Sequence, residues 1–195
     1  MGDHPSREDA KSLLFEFTES DSLQRHGLAV EQVMRKYAKK YHEDVEEWGI
    51  TGLLHDFDYG KYPTMEEHPF VGNEILEKKG YNLNIRTAIM GHADYTNVPR
   101  INLMAKVLFA VDELTGFIFA VTYVRPSKSI NEVKVKSVTK KLKDKRFAAS
   151  VSRDDIDRGI EELGVDRNEH IQFVIDALKE KAELLRLAGS VSLED

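Results

Sequence analysis

The 195-residue chain carries a formal charge of −6, is 41% hydrophobic and 32% charged, and contains no cysteine. This size and balance support one sizeable domain, or a domain with an appended lobe, and exclude bulk disorder. Lack of cysteine excludes disulfides, thiolate metal sites and a cysteine nucleophile. The net negative charge argues against a dedicated nucleic-acid binder. No stretch approaches the roughly 18 continuous apolar residues of a membrane span. The opening Met1-Gly2-Asp3-His4-Pro5 lacks the basic and apolar regions of a signal peptide, so a cytoplasmic location is expected.

The apolar spacing predicts helices nearly throughout. Ser6 and Asp9 form a capping-box pattern that opens a helix carrying Leu13, Leu14 and Phe17. A second helix is predicted from about Ser22 to Tyr41, where Ala29, Val30, Val33, Tyr37 and Tyr41 recur at steps of three and four. His26 falls on that same face. A third, roughly Asp44 to His55, carries Val45, Trp48 and Leu53, and Gly60 and Pro63 punctuate the loop beyond it. Pro69 suits the first turn of a helix running to Lys79 and stopped by Gly80. Asn84 is the expected cap of a short helix through His92. A long apolar helix follows, from about Asn102 to Tyr123, with Asp112 in its middle.

Arg125-Pro126-Ser127 marks a turn. Between Arg125 and Arg146 there are nine Lys/Arg against two acids, Glu132 and Asp144. Val135, Val138 and Leu142 give this stretch the pattern of a basic amphipathic helix. It reads either as a solvated face or as a phosphate-attracting rim. Ser152 with Asp155, and Asp166 with Glu169, open two further helices ending near Gly164 and Gly189. The expected fold is all-α, with a helical core over residues 1–125 and a C-terminal helical lobe over 126–195 packed on it.

The chemistry lies in histidines and aspartates placed among apolar residues. His55-Asp56 directly follows Ile50-Thr51-Gly52-Leu53-Leu54, with His26 upstream and His68, His92 and Asp112 downstream. Imidazoles and carboxylates are the donors that hold hard-to-borderline divalent metals. Asp112 sits among Phe109, Ala110 and Val111, and a buried carboxylate needs a cation. Lys106 is a poor partner at six residues' distance, on roughly the opposite side of the helix. A metal site built from several helices, with phosphate-ester hydrolysis as its chemistry, is the hypothesis these residues support. His4, His42 and His170 receive no role.

The order His26, His55-Asp56, Asp112 resembles the H…HD…D pattern of the HD-domain metal-dependent phosphohydrolase superfamily. Leu53-Leu54-His55-Asp56 looks like its central motif, and Val107–Leu114 like its final-aspartate helix. His68-Pro69-Phe70-Val71-Gly72 and Gly91-His92-Ala93-Asp94 resemble the extra histidine segments of the dinuclear HDIG branch, here as a small stand-alone bacterial-type member. The resemblance covers about residues 20 to 125. It implies that His26, His55, Asp56 and Asp112 hold one metal and that His68 and His92 hold a second, with Asp56 bridging. His68 also reads as a helix N-cap with no ligand role, which would leave a mononuclear site. In the HDIG branch a short apolar-Gly-Lys sequence follows the His-Asp pair. Here Phe57-Asp58-Tyr59-Gly60-Lys61 places the lysine two residues later, so cyclic-dinucleotide cleavage is not assigned.

The expected cofactor is one or two divalent ions (Mn, Fe, Ni, Mg or Zn), and the expected partner is a small anionic phosphate-containing substrate. Besides Asp56, the loop residues Asp58 and Lys61 are candidates for orienting water or touching phosphate. Arg125, Lys128 and Lys141 are candidates for attracting it. The superfamily also contains mixed-valent di-iron oxygenases with a similar ligand set, and a non-catalytic nucleotide-sensing domain is a further alternative.

Overall fold

The computed structural model describes residues 4–189. The described residues are all-helical apart from turns and one isolated antiparallel bridge, Ser129 to Ala188. In chain order the helices are α1 (Arg7–Phe17), α2 (Asp21–Tyr41), α3 (Val45–Leu54), α4 (Phe70–Lys78), α5 (Leu83–Gly91), α6 (Leu103–Tyr123), α7 (Val135–Leu142), α8 (Arg153–Leu163) and α9 (Arg167–Lys179). No helix among the described residues is long and apolar enough to cross a membrane.

Side-chain caps set most of these boundaries. Ser6 and Asp9 form a reciprocal capping box on α1, and Asp44 accepts from the N–H groups of Glu46 and Glu47 at the start of α3. Ser152 and Asp166 cap α8 and α9 as their sequence patterns predict. Two expectations are corrected. Asn82, rather than Asn84, caps α5 by accepting from the Ile85 N–H at 3.0 Å, a register that turns Ile85, Ala88 and Ile89 inward. The last helix stops at Lys179 rather than near Gly189. The chain beyond it runs through turns that bury Leu185 and Leu187, and the Leu187 carbonyl accepts from the Ile130 N–H at 2.7 Å. That tertiary pairing leaves no trace in local helix propensity.

The chain divides into two compact units between Phe109 and Ala110, inside α6. In the first unit α2 and α3 pack along each other, joined by residues 42–44. Ala29, Val30, Val33, Met34 and Tyr37 of α2 are buried, as are Trp48, Ile50, Leu53 and Leu54 of α3. Glycine makes the approach close. A Cβ on Gly52 would lie 2.8 Å from Met34 Cγ and 2.9 Å from the Val30 carbonyl oxygen. Gly52→Ala should therefore cost about 1–3 kcal/mol through overpacking, read as a lowered midpoint in thermal unfolding. An unchanged midpoint would mean that the helix pair can separate freely.

In the second unit α9 packs against α7 and the short helical turn Ile130–Glu132. Arg153 stacks over the Phe117 ring, 4.8 Å from its centroid, and donates to the carbonyls of Asp144, Phe147, Ala148 and Val151. The Glu113 carboxylate accepts from the Ser152 N–H at 3.2 Å, which ties the start of α8 to α6. His170 is buried, with Nε2 2.9 Å from the Ala110 carbonyl oxygen.

Candidate metal centre

Three histidines of the first unit converge on Asp56. One Asp56 oxygen lies 3.3 Å from His68 Nε2 and 3.2 Å from His92 Nε2. The other lies 3.4 Å from His55 Nε2. The His26 ring stands edge-on to His55, with centroids 5.1 Å apart. Ligand-capable atoms of Asp56, His68 and His92 lie within 4.8 Å of one another, as do those of His26, His55 and Asp56. The rings of His55, His68 and His92 are buried, whereas the Asp56 side chain keeps 26% of its surface open.

The backbone fixes which nitrogen each ring presents. His55 is the C-cap of α3, and its Nδ1 lies 2.8 Å from the Gly52 carbonyl oxygen. His92 is the C-cap of α5, with Nδ1 2.5 Å from the Ile89 carbonyl oxygen. Each ring serves a carbonyl in the last turn of its own helix, where the bond from the N–H four residues on is missing, and the Ile89 carbonyl accepts from the His92 N–H as well. His68 precedes α4 and uses a side chain instead: its Nδ1 lies 2.8 Å from the Asp58 carboxylate. A carbonyl or carboxylate beside Nδ1 requires the proton there, so all three rings turn Nε2 toward Asp56.

This donor set calls for a cation. The Nε2 atoms of His68 and His92 lie 3.3 Å apart, a distance at which two bare lone pairs repel. Burial pulls the His68 imidazole down, but the carboxylates of Asp56 and Asp58 more than offset it and push its pKa up to about 9. Burial likewise raises the Asp56 carboxyl, yet the His55 charge and hydrogen bonds from His55, His68 and His92 hold it well below the usual carboxylate range. Neutral imidazoles locked with Nε2 outward around a carboxylate fit a divalent metal of the N/O-preferring kind.

Residues 23–116 match the HD domain family. The matched stretch is an HD domain. No curated protein and no solved structure matches it. HD domains belong to a superfamily composed mostly of metal-dependent phosphohydrolases, and the His/Asp cluster supports divalent metal binding by this one.

Within the HD-domain span, the structure brings His26, His55, Asp56, His68 and His92 together. The helix N-cap position next to His68 falls to Pro69, and the His68 side chain turns to Asp56, Asp58 and His92. Asp112 is partly exposed and lies on α6, one turn beyond Phe109. The candidates for water and phosphate sit differently from one another. Asp58 is 1% exposed, and its oxygens face His68 and the Gly72 N–H rather than solvent. The Lys61 ammonium rests over the Phe17 ring, 4.2 Å from its centroid.

In the second unit, Arg125 is 3.4 Å from Glu132 and 3.5 Å from the Ser137 hydroxyl. Lys141 lies over the Phe147 ring at 4.4 Å, and Lys128 adopts a left-handed φ of 49°. Two neighbours of His68 take roles that the sequence does not announce. Gly72 leaves room for the Asp58 carboxylate, and the Tyr95 hydroxyl donates to the His68 carbonyl at 2.8 Å.

Proposed function

We propose that the chain is a metal-dependent phosphohydrolase acting on a nucleotide or another small phosphate ester through a metal-activated water. The observation that carries this reading is the convergence of three imidazoles, each fixed with Nε2 outward, on the single carboxylate of Asp56. One metal would be held by His26, His55 and Asp56, and the family resemblance implies Asp112 as a further carboxylate ligand. A second, as in the HDIG branch, would be held by His68 and His92, with Asp56 shared between the two.

Bound divalent ions supply Lewis acidity toward phosphoryl oxygens and bring the pKa of water near neutrality. The residues contribute position and charge. Asp56 offers one oxygen to each imidazole group and so fixes the spacing of the two sets. The buried rings exclude bulk water on their side, and the open edge of Asp56 leaves the approach for an ester. Tyr59, 42% exposed, stands edge-on to the His68 ring at 5.3 Å and offers an aromatic surface beside that approach.

The test is metal analysis of purified protein, followed by a screen of phosphate monoesters and diesters after loading with Mn, Fe, Ni, Mg or Zn. The expected result is hydrolysis that depends on the added ion and disappears with a chelator. A protein that takes up none of these ions, or one fully loaded and inert toward every ester, would refute the reading.

A further inference from the structure

We infer that Asp58 is a positioning residue for His68, and that Gly72 is a glycine because Asp58 must pass beside it. The inference rests on the two-metal reading above and deepens it.

The histidines sit at opposite ends of their helices. His55 and His92 end helices, where the backbone offers spare carbonyls to an Nδ1–H. His68 precedes a helix, where the backbone offers spare N–H donors instead. Its own helix therefore supplies no acceptor for Nδ1–H. The N-cap of α4 is Pro69, which makes no side-chain capping bond; the Glu67 carbonyl accepts from the Val71 N–H, and the Gly72 N–H turns to a more distant acceptor. Asp58 supplies both needs from another segment. One oxygen lies 2.8 Å from His68 Nδ1, and the other accepts from the Gly72 N–H at 2.9 Å.

Two features make the brace specific. The bond to His68 uses a donor and the bond to Gly72 uses a donor, so both oxygens must accept. Aspartate does this, whereas asparagine presents one oxygen and one NH2 and leaves a donor facing a donor. The fit is also tight. A Cβ on residue 72 would lie 2.6 Å from the Asp58 carboxylate, closer than atoms can approach. The brace thus fixes the ring plane and keeps the proton on Nδ1, so that Nε2 faces Asp56 and His92.

The experiment is a titration of metal-free full-length protein with Co2+, followed by visible absorption and bound stoichiometry. Wild type should bind two ions. Asp58→Asn should keep the first with unchanged affinity and weaken the second by about 10- to 100-fold. Gly72→Ala should weaken the same ion, because the methyl group displaces the carboxylate. Unchanged affinity for the second ion in Asp58→Asn overturns the inference. So does an equal weakening of both ions with a lowered unfolding midpoint, the mark of a merely structural residue. A wild type that takes up a single ion rejects the two-metal reading, and this inference with it. Should the variants fail to fold, imidazole 15N NMR of wild-type protein loaded with Zn2+ decides. Nδ1–H with Nε2 on the metal is expected for His68, and metal on Nδ1 overturns the brace.

Discussion

Asp56→Ala should lower kcat/KM for any ester that the metal-loaded protein hydrolyses by about a thousandfold or more, and should leave it unable to hold two ions. The Asp56 carboxylate approaches both imidazole groups, through one oxygen to His68 and His92 and through the other to His55. Metal assistance supplies several kcal/mol of transition-state stabilisation, and each loss of about 1.4 kcal/mol is tenfold in rate. Asp56→Asn should fall nearly as far, because it keeps the shape and loses the charge. Steady-state kinetics with measured ion stoichiometry provide the check. A variant within about tenfold of wild type would place the activity elsewhere on the chain.

Glu31→Ala should be the most destabilising single change in the first unit outside its apolar core. The Glu31 side chain is buried and receives two bonds from Arg7, at 2.5 and 2.9 Å, and one from Arg35 at 2.8 Å. Arg35 in turn makes two bonds to Glu46, at 2.6 and 2.9 Å, and these with Glu31 outweigh partial burial and raise its pKa. The network links α1, α2 and α3 around one buried carboxylate. Its removal leaves two partly buried guanidinium groups facing an empty place. Breaking a buried ion pair costs about 3–5 kcal/mol, and the lower end applies because Arg35 keeps Glu46. At that cost the thermal midpoint should drop by roughly 6–12 °C. A drop of a degree or two would mean that the network behaves like exposed surface pairs.

The helices were legible because their signals are local. Ser6, Asp44, Ser152 and Asp166 announce their caps in the next three residues, and the steps of three and four on α2 match its buried face. The ligand-type residues were legible because a histidine or aspartate on an apolar stripe is conspicuous. The supports were hidden. Nothing near Asp58 in sequence says that its carboxylate is buried, or that its partners lie 10 and 14 residues away. From sequence it is a loop candidate for orienting water or touching phosphate. Asn84 is the cap expected from sequence, but the burial of Ile85 chooses the register in which Asn82 takes that place. The last helix was drawn too long because the pairing of Leu187 with Ile130 depends on a distant segment.

The two C-cap histidines have an electrostatic corollary. Their rings lie 5.5 Å apart, so the carboxyl-terminal ends of α3 and α5 meet at one spot. Each helix end carries a partial negative charge of about half a unit. The main chain therefore adds about one unit of negative potential to that of Asp56 before any ligand arrives. Such a pocket draws cations from bulk water and turns anions away. A phosphate ester gains a reason to enter only after the sign of the pocket has been reversed.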